Sequence, residues 1–340
     1  MQLLRWLLFP ITILYTLIIL VRNKLYDIGF FKSKTFPVNT IVIGNLAVGG
    51  AGKSPLTQLL ISHFQHDYRL ATLSRGYGRS TKGFRLVNLS DDAATVGDEP
   101  LQFKKNFPNV TVAVDENRAE GIEILQKDHN LIILDDAFQH RKITGTCQVL
   151  VFDFVSLLKP VLLLPTGNFR DSMNQTNRAD VVLISKCPPL FSDLQKLTIE
   201  GKIKRYNPSV RIFYSSIEYL APISLNNAPK LDSIHPDLNI LLLTGIANPL
   251  PLVEYLQHQS TIVQHLNYPD HHAFSSKDYE HIQSSFEGAN YKNKIILTTE
   301  KDAQRIDHSK LGPLPIYYLP IRTKIDNEND FFQIISSYVN

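Results

Sequence analysis

One stretch of the chain decides the fold: Gly44-Asn45-Leu46-Ala47-Val48-Gly49-Gly50-Ala51-Gly52-Lys53-Ser54. A run of β-branched residues leads into it and a helical pattern follows, which is the setting of a phosphate-binding loop (P-loop). Small residues let backbone N–H groups close around phosphates, and the dipole of the following helix favours negative charge. The predicted nucleotide-binding residues are Gly49, Gly50, Ala51, Gly52, Lys53 and Ser54.

The last two residues of this loop predict its chemistry. Lys53 is placed to reach the terminal phosphates, and the hydroxyl of Ser54 can ligate Mg²⁺. Ala47 occupies the first position of the usual pattern, where Gly is normal. A chance Gly-rich turn is the alternative, but the strand before the loop and the helix after it favour a P-loop.

Short β-rich runs alternate with helical patterns on both sides of the loop, which is typical of a parallel sheet covered by helices on both faces. The predicted strands are 40–45, 69–74, 110–114, 131–135, 149–153 and 181–185 in a first unit, and 239–244, 261–266, 294–299 and 316–319 in a second. The pattern weakens over 211–224. We therefore expect an α/β protein with an N-terminal membrane helix (1–24), a P-loop NTPase-like domain (25–220) and a smaller α/β domain (221–340) that closes the active-site cleft.

Composition bounds the class of protein. The 340 residues are 44% hydrophobic and 20% charged, which suits two packed domains. A formal net charge of +3 is too small for a dedicated nucleic-acid binder. Cys147 and Cys187 are the only cysteines, and neither has a His or Cys nearby at metal-ligand spacing. Neither a disulfide framework nor a zinc site is indicated, and a reducing, cytoplasmic setting fits.

The N-terminal segment differs from the rest of the chain. Residues 6–21 carry no charge, which is a little short of the roughly 20 residues that span a bilayer core. Arg5 precedes this run and Arg22 and Lys24 follow it, which suits a helix held at an anionic membrane surface. A cleaved signal peptide is disfavoured because no small-residue cleavage site follows. A buried helix of a soluble protein is the remaining alternative.

Carboxylates and a histidine stand where phosphoryl transfer needs them. Asp135 and Asp136 end a buried strand and face the same crevice as the P-loop, which predicts that they organise Mg²⁺. Asp98 opens a predicted helix, and His271 lies in a loop of the second unit. Together across a cleft, they could deprotonate a hydroxyl. The residues alone leave open a helix cap for Asp98 and a surface loop for His271.

Basic side chains cluster beyond two of the predicted strands. Arg75 and Arg79 follow one strand, and Arg141 follows the Asp pair. Arginine at the carboxyl edge of a sheet suits a phosphate of ATP or of an acceptor. A solvated basic loop is the alternative.

The chain resembles the lipid A 4'-kinase (tetraacyldisaccharide 4'-kinase) family in an ordered set of strings. These are the loop 44–54, Ser74 to Arg79, Gly97 to Pro100, Asp135-Asp136, Phe138 to Arg141, Gly245 to Pro249, Asp270-His271-His272 and Thr298 to Asp302. One string is weak by itself. The ordered set together with the N-terminal apolar segment is highly specific.

This resemblance implies ATP-dependent phosphorylation of the 4'-hydroxyl of a tetraacylated glucosamine disaccharide 1-phosphate, at the cytoplasmic face of the inner membrane. It implies ATP and Mg²⁺ as cofactors, a lipid disaccharide substrate and a membrane surface as partners, and no obligate protein partner. The residues that it assigns to catalysis are Asp98, His271, Lys53 and Gln139. We expect Asn45, Arg75, Arg79 and Arg141 to bind substrate.

One departure from the family pattern concerns the metal. Where the family reads Arg-Glu-Pro, this chain has Arg170-Asp171-Ser172. If the family's Glu helps to hold the metal, Asp171 keeps the charge but is one methylene shorter. We expect Asp171 as a Mg²⁺ ligand beside Ser54, Asp135 and Asp136.

Two other classes of function are weighed against the kinase. A membrane-associated P-loop ATPase or GTPase switch would also use the loop. However, no Asn-Lys-x-Asp string for guanine is present, and Ser185-Lys186-Cys187-Pro188 lacks the needed Asp, so ATP is favoured. A non-enzymatic membrane adaptor would not explain the P-loop, the Asp135-Asp136 pair or the ordered strings.

Overall fold

A computed structural model of the protein describes residues 5–340, so the first four residues of the predicted membrane helix lie outside it. Its strands are β1 (Asn39–Gly44), β2 (Leu70–Ser74), β3 (Arg85–Leu86), β4 (Thr111–Val114), β5 (Leu131–Leu134), β6 (Cys147–Asp153), β7 (Val181–Ser185), β8 (Arg211–Tyr219), β9 (Ile223–Ser224), β10 (Asn239–Thr244), β11 (Thr261–Asn267), β12 (Lys294–Thr299), β13 (Ile316–Leu319) and β14 (Ile321–Ile325). The ten predicted strands are confirmed, each to within two residues.

The α-helices surround these strands. They are α1 (Phe9–Asp27), α2 (Lys53–Phe64), α3 (Ala93–Val96), α4 (Asp98–Asn106), α5 (Arg118–Leu125), α6 (Phe154–Leu158), α7 (Asp193–Lys204), α8 (Leu250–Gln257), α9 (Ser276–Gly288), α10 (Glu300–Ala303) and α11 (Glu328–Val339). Short 3₁₀ turns cover Met173–Arg178 and His308–Leu311.

The larger sheet has the strand order β14-β8-β7-β6-β1-β5-β2-β4-β3, and its seven central strands run parallel. Side chains of β1 alternate between two cores, as the pleat of a strand requires. Ile41 and Ile43 pack with Leu56 and Leu60 of α2, whereas Val42 packs on the opposite face. Both faces of the sheet are therefore buried, and β1 delivers the P-loop from the centre of the sheet.

The smaller sheet has the order β11-β10-β12-β13-β9, with only the edge strand β9 antiparallel. The predicted α/β architecture with two sheets is confirmed. Its boundaries differ from the simple division at 220/221, because β14 pairs antiparallel with β8 and α11 contacts β1, β6 and β14. Residues 321–340 thus return to the first sheet, where the apolar side chains of Phe331 and Ile335 join its core.

Helix α1 packs against the first unit with polar side chains buried and most apolar side chains exposed. Its buried side chains are those of Thr12 and Asn23, and the exposed fraction of Leu14 and Leu17 exceeds one half (59% and 58%). Thr12 Oγ1 donates a hydrogen bond of 2.8 Å to Oγ1 of Thr166. The helix therefore docks on the protein through polar contacts and presents apolar side chains outward, opposite to a helix of a soluble protein.

Candidate active site

The P-loop adopts a conformation that depends on glycine. Gly52, which caps α2, has a φ of +80°, and an added Cβ would lie 3.3 Å from Ser185. A side chain at this position would be strained in both respects. Ser185, at the end of β7, donates a 2.7 Å hydrogen bond to the carbonyl oxygen of Ala51. A hydrogen bond from the end of β7 therefore anchors the loop.

Lys53 points from the start of α2 toward the acids at the end of β5. Its Nζ lies 3.5 Å from Oδ1 of Asp136 and 3.2 Å from Oδ1 of Asn45. Burial opposes ionisation of Asp136, but the charges of Lys53 and Arg170 hold the pKa of that carboxyl below its usual value. Asp136 also has a φ of +48°, an uncommon conformation for a residue other than glycine. These cations give Asp136 a fixed negative charge beside the loop.

Asp135 lies deeper in the protein than its neighbour. Its Oδ1 accepts a 3.1 Å hydrogen bond from Thr57 on α2. Burial first, and then the negative charges of Glu99 and Asp136, raise the pKa of Asp135 to about 7. This site therefore holds a surplus of negative charge that a cation would relieve.

The hydroxyl of Ser54 donates a 2.8 Å hydrogen bond to Oε1 of Glu99, which brings a third acid close to Asp135. Within residues 5–340, no group of three or more His, Cys, Asp or Glu side chains could hold a metal ion by itself. Mg²⁺ is commonly held by one or two carboxylates together with substrate phosphates and water. The residues that fit this ion are Ser54, Glu99 and the Asp135–Asp136 pair.

Asn45 and Gln139 make hydrogen bonds that stabilise the P-loop. Asn45 is buried, its Nδ2 donates 2.6 Å to the carbonyl oxygen of Ala47, and its Oδ1 accepts 2.7 Å from Nη2 of Arg170. Gln139 Nε2 donates to the backbone carbonyl of Asn45. The side chain of Asn45 is therefore fully engaged in the loop, whereas Gln139 joins the loop to the segment after the acid pair.

The structure brings Asp98 and His271 together. Asp98 begins α4, directly after Gly97, whose φ of +93° turns the chain into the helix. Nδ1 of His271 lies 2.8 Å from Oδ2 of Asp98, and Nε of Arg305 is 3.4 Å from that same oxygen. Oδ1 of Asp98 has no hydrogen-bond partner among residues 5–340. It is therefore the carboxylate oxygen left to accept a hydrogen bond from another group.

The loop that carries His271 is held firmly by the second unit. His271 has a φ of +59°, and its N–H donates 3.1 Å to the carbonyl oxygen of Gly245. Arg305 donates to that same carbonyl at 3.1 Å, to the carbonyl of His272 at 3.2 Å and to the buried carboxylate of Asp302. Three anchors thus fix Arg305, and Arg305 in turn fixes the loop of His271.

The side chains of two predicted site residues contact α1. Oδ1 of Asp171 accepts 2.8 Å hydrogen bonds from Nδ2 of Asn23 and from the N–H of Ser172. Arg141 donates 2.9 Å to the carbonyl of Asn23 and 2.7 Å to Oδ1 of Asp27. The observed contacts of both residues fasten α1 to the first unit, and the predicted metal role of Asp171 has no contact to support it.

The two arginines after β2 differ in their surroundings. Arg79 donates to Glu116 and, at 2.8 Å, to the carbonyl of Gly83, so it braces its own loop. Arg75 is exposed and makes no hydrogen bond or ion pair with the residues that the structure describes. Arg75 is therefore available to a phosphate of a ligand, and its substrate role stays a prediction.

Sequence reasoning missed five charged residues that line this site: Glu99, Arg170, Lys186, Lys301 and Arg305. Lys186 follows β7, and its Nζ lies beside Gly50 of the loop and 3.9 Å from Asp153. Two of the five fall inside recognised strings, Glu99 in Gly97 to Pro100 and Lys301 in Thr298 to Asp302. A recognised string could have pointed to them, but their contacts come from other parts of the chain.

Comparisons with known proteins agree along the whole chain. Residues 4–340 match the family described as tetraacyldisaccharide-1-P 4'-kinase, LpxK. A tetraacyldisaccharide 4'-kinase of Bacteroides thetaiotaomicron is 40% identical over 98% of this chain and 93% of its own length. That of Flavobacterium johnsoniae is 41% identical over 100% of this chain and 98% of its own length. The crystal structure of LpxK from Aquifex aeolicus in complex with ATP has a TM-score of 0.72 and 26% identity, covering 99% of this chain and 100% of that one.

Proposed function

The chain belongs to the tetraacyldisaccharide-1-P 4'-kinase family, and from this premise we infer that it transfers the γ-phosphoryl group of ATP to the 4'-hydroxyl of a tetraacylated glucosamine disaccharide 1-phosphate. The product is the bis-phosphorylated lipid A precursor, and the second product is ADP. The observation that carries the acceptor chemistry is the 2.8 Å contact between Asp98 and His271 beside the P-loop.

Asp98 is proposed as the base for the acceptor. Its free Oδ1 accepts the proton of the 4'-hydroxyl while the hydroxyl oxygen forms a bond to the γ-phosphorus. The bond between that phosphorus and the oxygen bridging to the β-phosphate breaks, and ADP leaves with that electron pair. His271 and Arg305 both face Oδ2 of Asp98, so they orient the carboxylate and leave the other oxygen to the acceptor.

The P-loop side of the cleft is proposed to bind ATP. Backbone N–H groups of residues 49–54 hold the phosphates, and Lys53 neutralises charge on the transferring group. Arg75, which is exposed, is proposed to contact a phosphate of ATP or of the acceptor. Ser54, Glu99 and the Asp135–Asp136 pair would hold Mg²⁺, which supplies further neutralisation of the phosphate oxygens when it is bound.

Helix α1 is proposed to place this active site at a membrane surface. It is the one helix within residues 5–340 that is long and apolar enough to cross a bilayer. Contacts with the first unit occur near both ends, from Arg5 with Asn168 (2.9 Å) to Asp27 with Arg141 (2.7 Å). A helix held along its length in this way supports an interfacial position, with apolar side chains in the lipid.

The cytoplasmic face of the inner membrane is the proposed location. ATP is available on that side, and both cysteines are buried and free, in keeping with a reducing compartment. Lys24 and Arg22 at the end of α1 add positive charge, which attracts anionic lipid headgroups.

One experiment tests the kinase activity directly. Purified full-length protein is incubated with Mg²⁺-ATP and the monophosphorylated disaccharide lipid, and the lipid is examined by mass spectrometry for a second phosphate. A matched reaction without lipid measures ATP hydrolysis alone. We expect ADP to form only when the acceptor is present, and ADP formation at the same rate without any acceptor would favour a P-loop ATPase switch instead.

A further inference from the structure

A lysine of the second unit occupies the far side of the His271 ring. Lys301 lies on α10, and its Nζ is 3.3 Å from Nε2 of His271, opposite the nitrogen that faces Asp98. The same Nζ lies 3.9 Å from Oε1 of Glu99. Its side chain is only a quarter exposed, so it is confined between the two groups. One cation therefore touches both the imidazole and the acid next to Ser54.

The chemistry of an ammonium group determines which hydrogen the imidazole carries. A lysine ammonium has three donors and no acceptor, so Nε2 of His271 must act as the acceptor toward it. In a neutral imidazole the other nitrogen, Nδ1, then carries the hydrogen. That N–H points to Oδ2 of Asp98 at 2.8 Å. The opposite tautomer would set two donors against each other at Lys301 and two acceptors against each other at Asp98.

Other groups around the ring are weaker competitors. Oδ2 of Asp270 is 3.9 Å from Nε2, farther than the lysine, and would favour a hydrogen on that nitrogen. The Tyr77 ring lies 5.3 Å from the imidazole, centroid to centroid, and packs against it without an ion pair. Arg305 faces Asp98 rather than the imidazole. The shorter 3.3 Å contact makes Lys301 the deciding neighbour of Nε2.

We propose that Lys301 is a positioning residue that holds His271 as the Nδ1–H tautomer and so orients Asp98 toward the acceptor hydroxyl. The inference rests on the proposed function, because it assigns Asp98 as the base of that reaction. Lys301 belongs to the second unit and acts on the reaction only through His271. Lys301 also contacts Glu99 of α4, so it links the second unit to the helix that carries Asp98.

The tautomer can be observed without any turnover. Full-length protein labelled with ¹⁵N-histidine is examined by NMR, and the His271 signals are assigned from their loss in His271→Gln. We expect a protonated Nδ1 and an unprotonated Nε2 in the wild type. In Lys301→Met, where only Asp98 still favours the Nδ1–H form, we expect a mixture in which the Nε2–H tautomer becomes detectable, and in Lys301→Arg, which keeps a donor, the wild-type pattern. The wild-type tautomer in Lys301→Met would overturn the proposal.

Kinetics separate positioning from a merely structural role. Lys301→Met is expected to lower kcat about 10- to 100-fold with little change in KM for ATP, since the base is misoriented but the P-loop is intact. Lys301→Arg should restore most of kcat, and equal losses in both variants would overturn the proposal. Lys310→Met, a lysine of the same unit paired with Asp307, is the matched control and should change neither quantity.

The two levels of inference fail in different ways. If the wild type does not phosphorylate the disaccharide lipid, the proposed function fails whatever the tautomer. If the wild type is active and Lys301→Met keeps both the Nδ1–H signal and wild-type kcat, only the role of Lys301 is lost.

Discussion

Nδ1 of His271 lies 2.8 Å from Oδ2 of Asp98, although 173 positions separate the two residues along the chain. They belong to different units, and their contact makes one polar group from both sides of the cleft. Arg305 is 3.4 Å from the same carboxylate oxygen. The two residues therefore form one hydrogen-bonded unit, which bears directly on how their variants should behave.

Replacing either member of this pair should remove the same function. Asp98→Asn and His271→Gln are each expected to lower kcat by about 10²- to 10⁴-fold, the usual contribution of acid–base catalysis. The double variant should be little worse, because the two residues act as a unit. The dissociation constant of ATP should stay near the wild-type value. Losses in kcat that multiply in the double variant would show that the residues act independently.

Lys53→Ala should abolish most turnover and leave the fold intact. Lys53 contacts the side chains of Asn45 and Asp136, and Arg170 remains to neutralise Asp136 in the variant. We expect kcat to fall by at least about 10²-fold, as when one electrostatic stabiliser of a transition state is lost. Circular dichroism should be unchanged. Turnover close to wild type at saturating Mg²⁺-ATP would exclude the assigned role of the loop.

Glu99→Gln tests the metal side of the cleft. The amide keeps the size of the side chain but loses the charge near Asp135, so Mg²⁺ should bind more weakly. We expect the Mg²⁺ concentration for half-maximal activity to rise about 10-fold or more, in line with losses around other metal sites. Glu123→Gln, at an exposed pair with Lys34, is the control. An unchanged Mg²⁺ dependence would remove Glu99 from the metal site.

The outward face of α1 should carry membrane affinity. Replacing Leu14, Leu17 and Ile18 by Gln removes three exposed apolar side chains without touching the docked residues Thr12 and Asn23. At about 1.5 kcal/mol for each apolar side chain that leaves water, binding to anionic vesicles should fall more than about 100-fold. ATP affinity should not change. Vesicle sedimentation measures the first quantity and calorimetry the second.

A matched control for this experiment lies at the start of α7 and just before it. Leu190, Leu194 and Leu197 are even more exposed, at 91%, 74% and 68%, but lie outside the proposed contact. Their replacement by Gln should leave vesicle binding intact.

Deleting residues 1–23 should also weaken membrane and lipid-substrate association far more than ATP binding, although it additionally breaks the contacts of Arg5 and Asn23. A truncated protein that still sediments fully with vesicles would contradict the proposed role of α1.

His140 should make stability depend on pH. Burial first, and then the positive charges of Arg118, Lys142, Arg22 and Arg75, lower the pKa of His140 to about 4 from 6.5. The unfolded chain therefore binds a proton at higher pH than the folded protein, and His140 costs stability as pH falls from about 6.5 to about 4. In His140→Gln, the melting temperature should fall less steeply over this range than in the wild type. Parallel curves would show that His140 does not titrate in this way.

Local patterns predicted the elements that depend on neighbours in sequence. β-rich runs that alternate with helical patterns located ten strands, and Gly52 with Lys53 and Ser54 located the P-loop, because backbone conformation and helix dipoles act over a few residues. The sequence pattern over β8 is weak because only one part of the strand is deeply buried, and the alternation in β14 is too short to predict a strand. β8 pairs with β7 and, across more than a hundred residues, with β14, which is a strand because of that pairing.

The residues of the cleft show which contacts the sequence alone does not predict. It marked Asp135 and Asp136 as candidates for chemistry because acids at the carboxyl ends of parallel strands face the same crevice as the P-loop, and the family resemblance marked Asp98 and His271. Only the tertiary structure shows that Asp98 pairs with His271 and that Lys301 contacts Nε2 of that histidine. It also shows that Asp171 contacts Asn23 of α1. The reason is physical: a polar side chain bonds to whatever the packed core brings within about 3 Å. That neighbour is selected by the folding of distant segments together, which no spacing along the chain records.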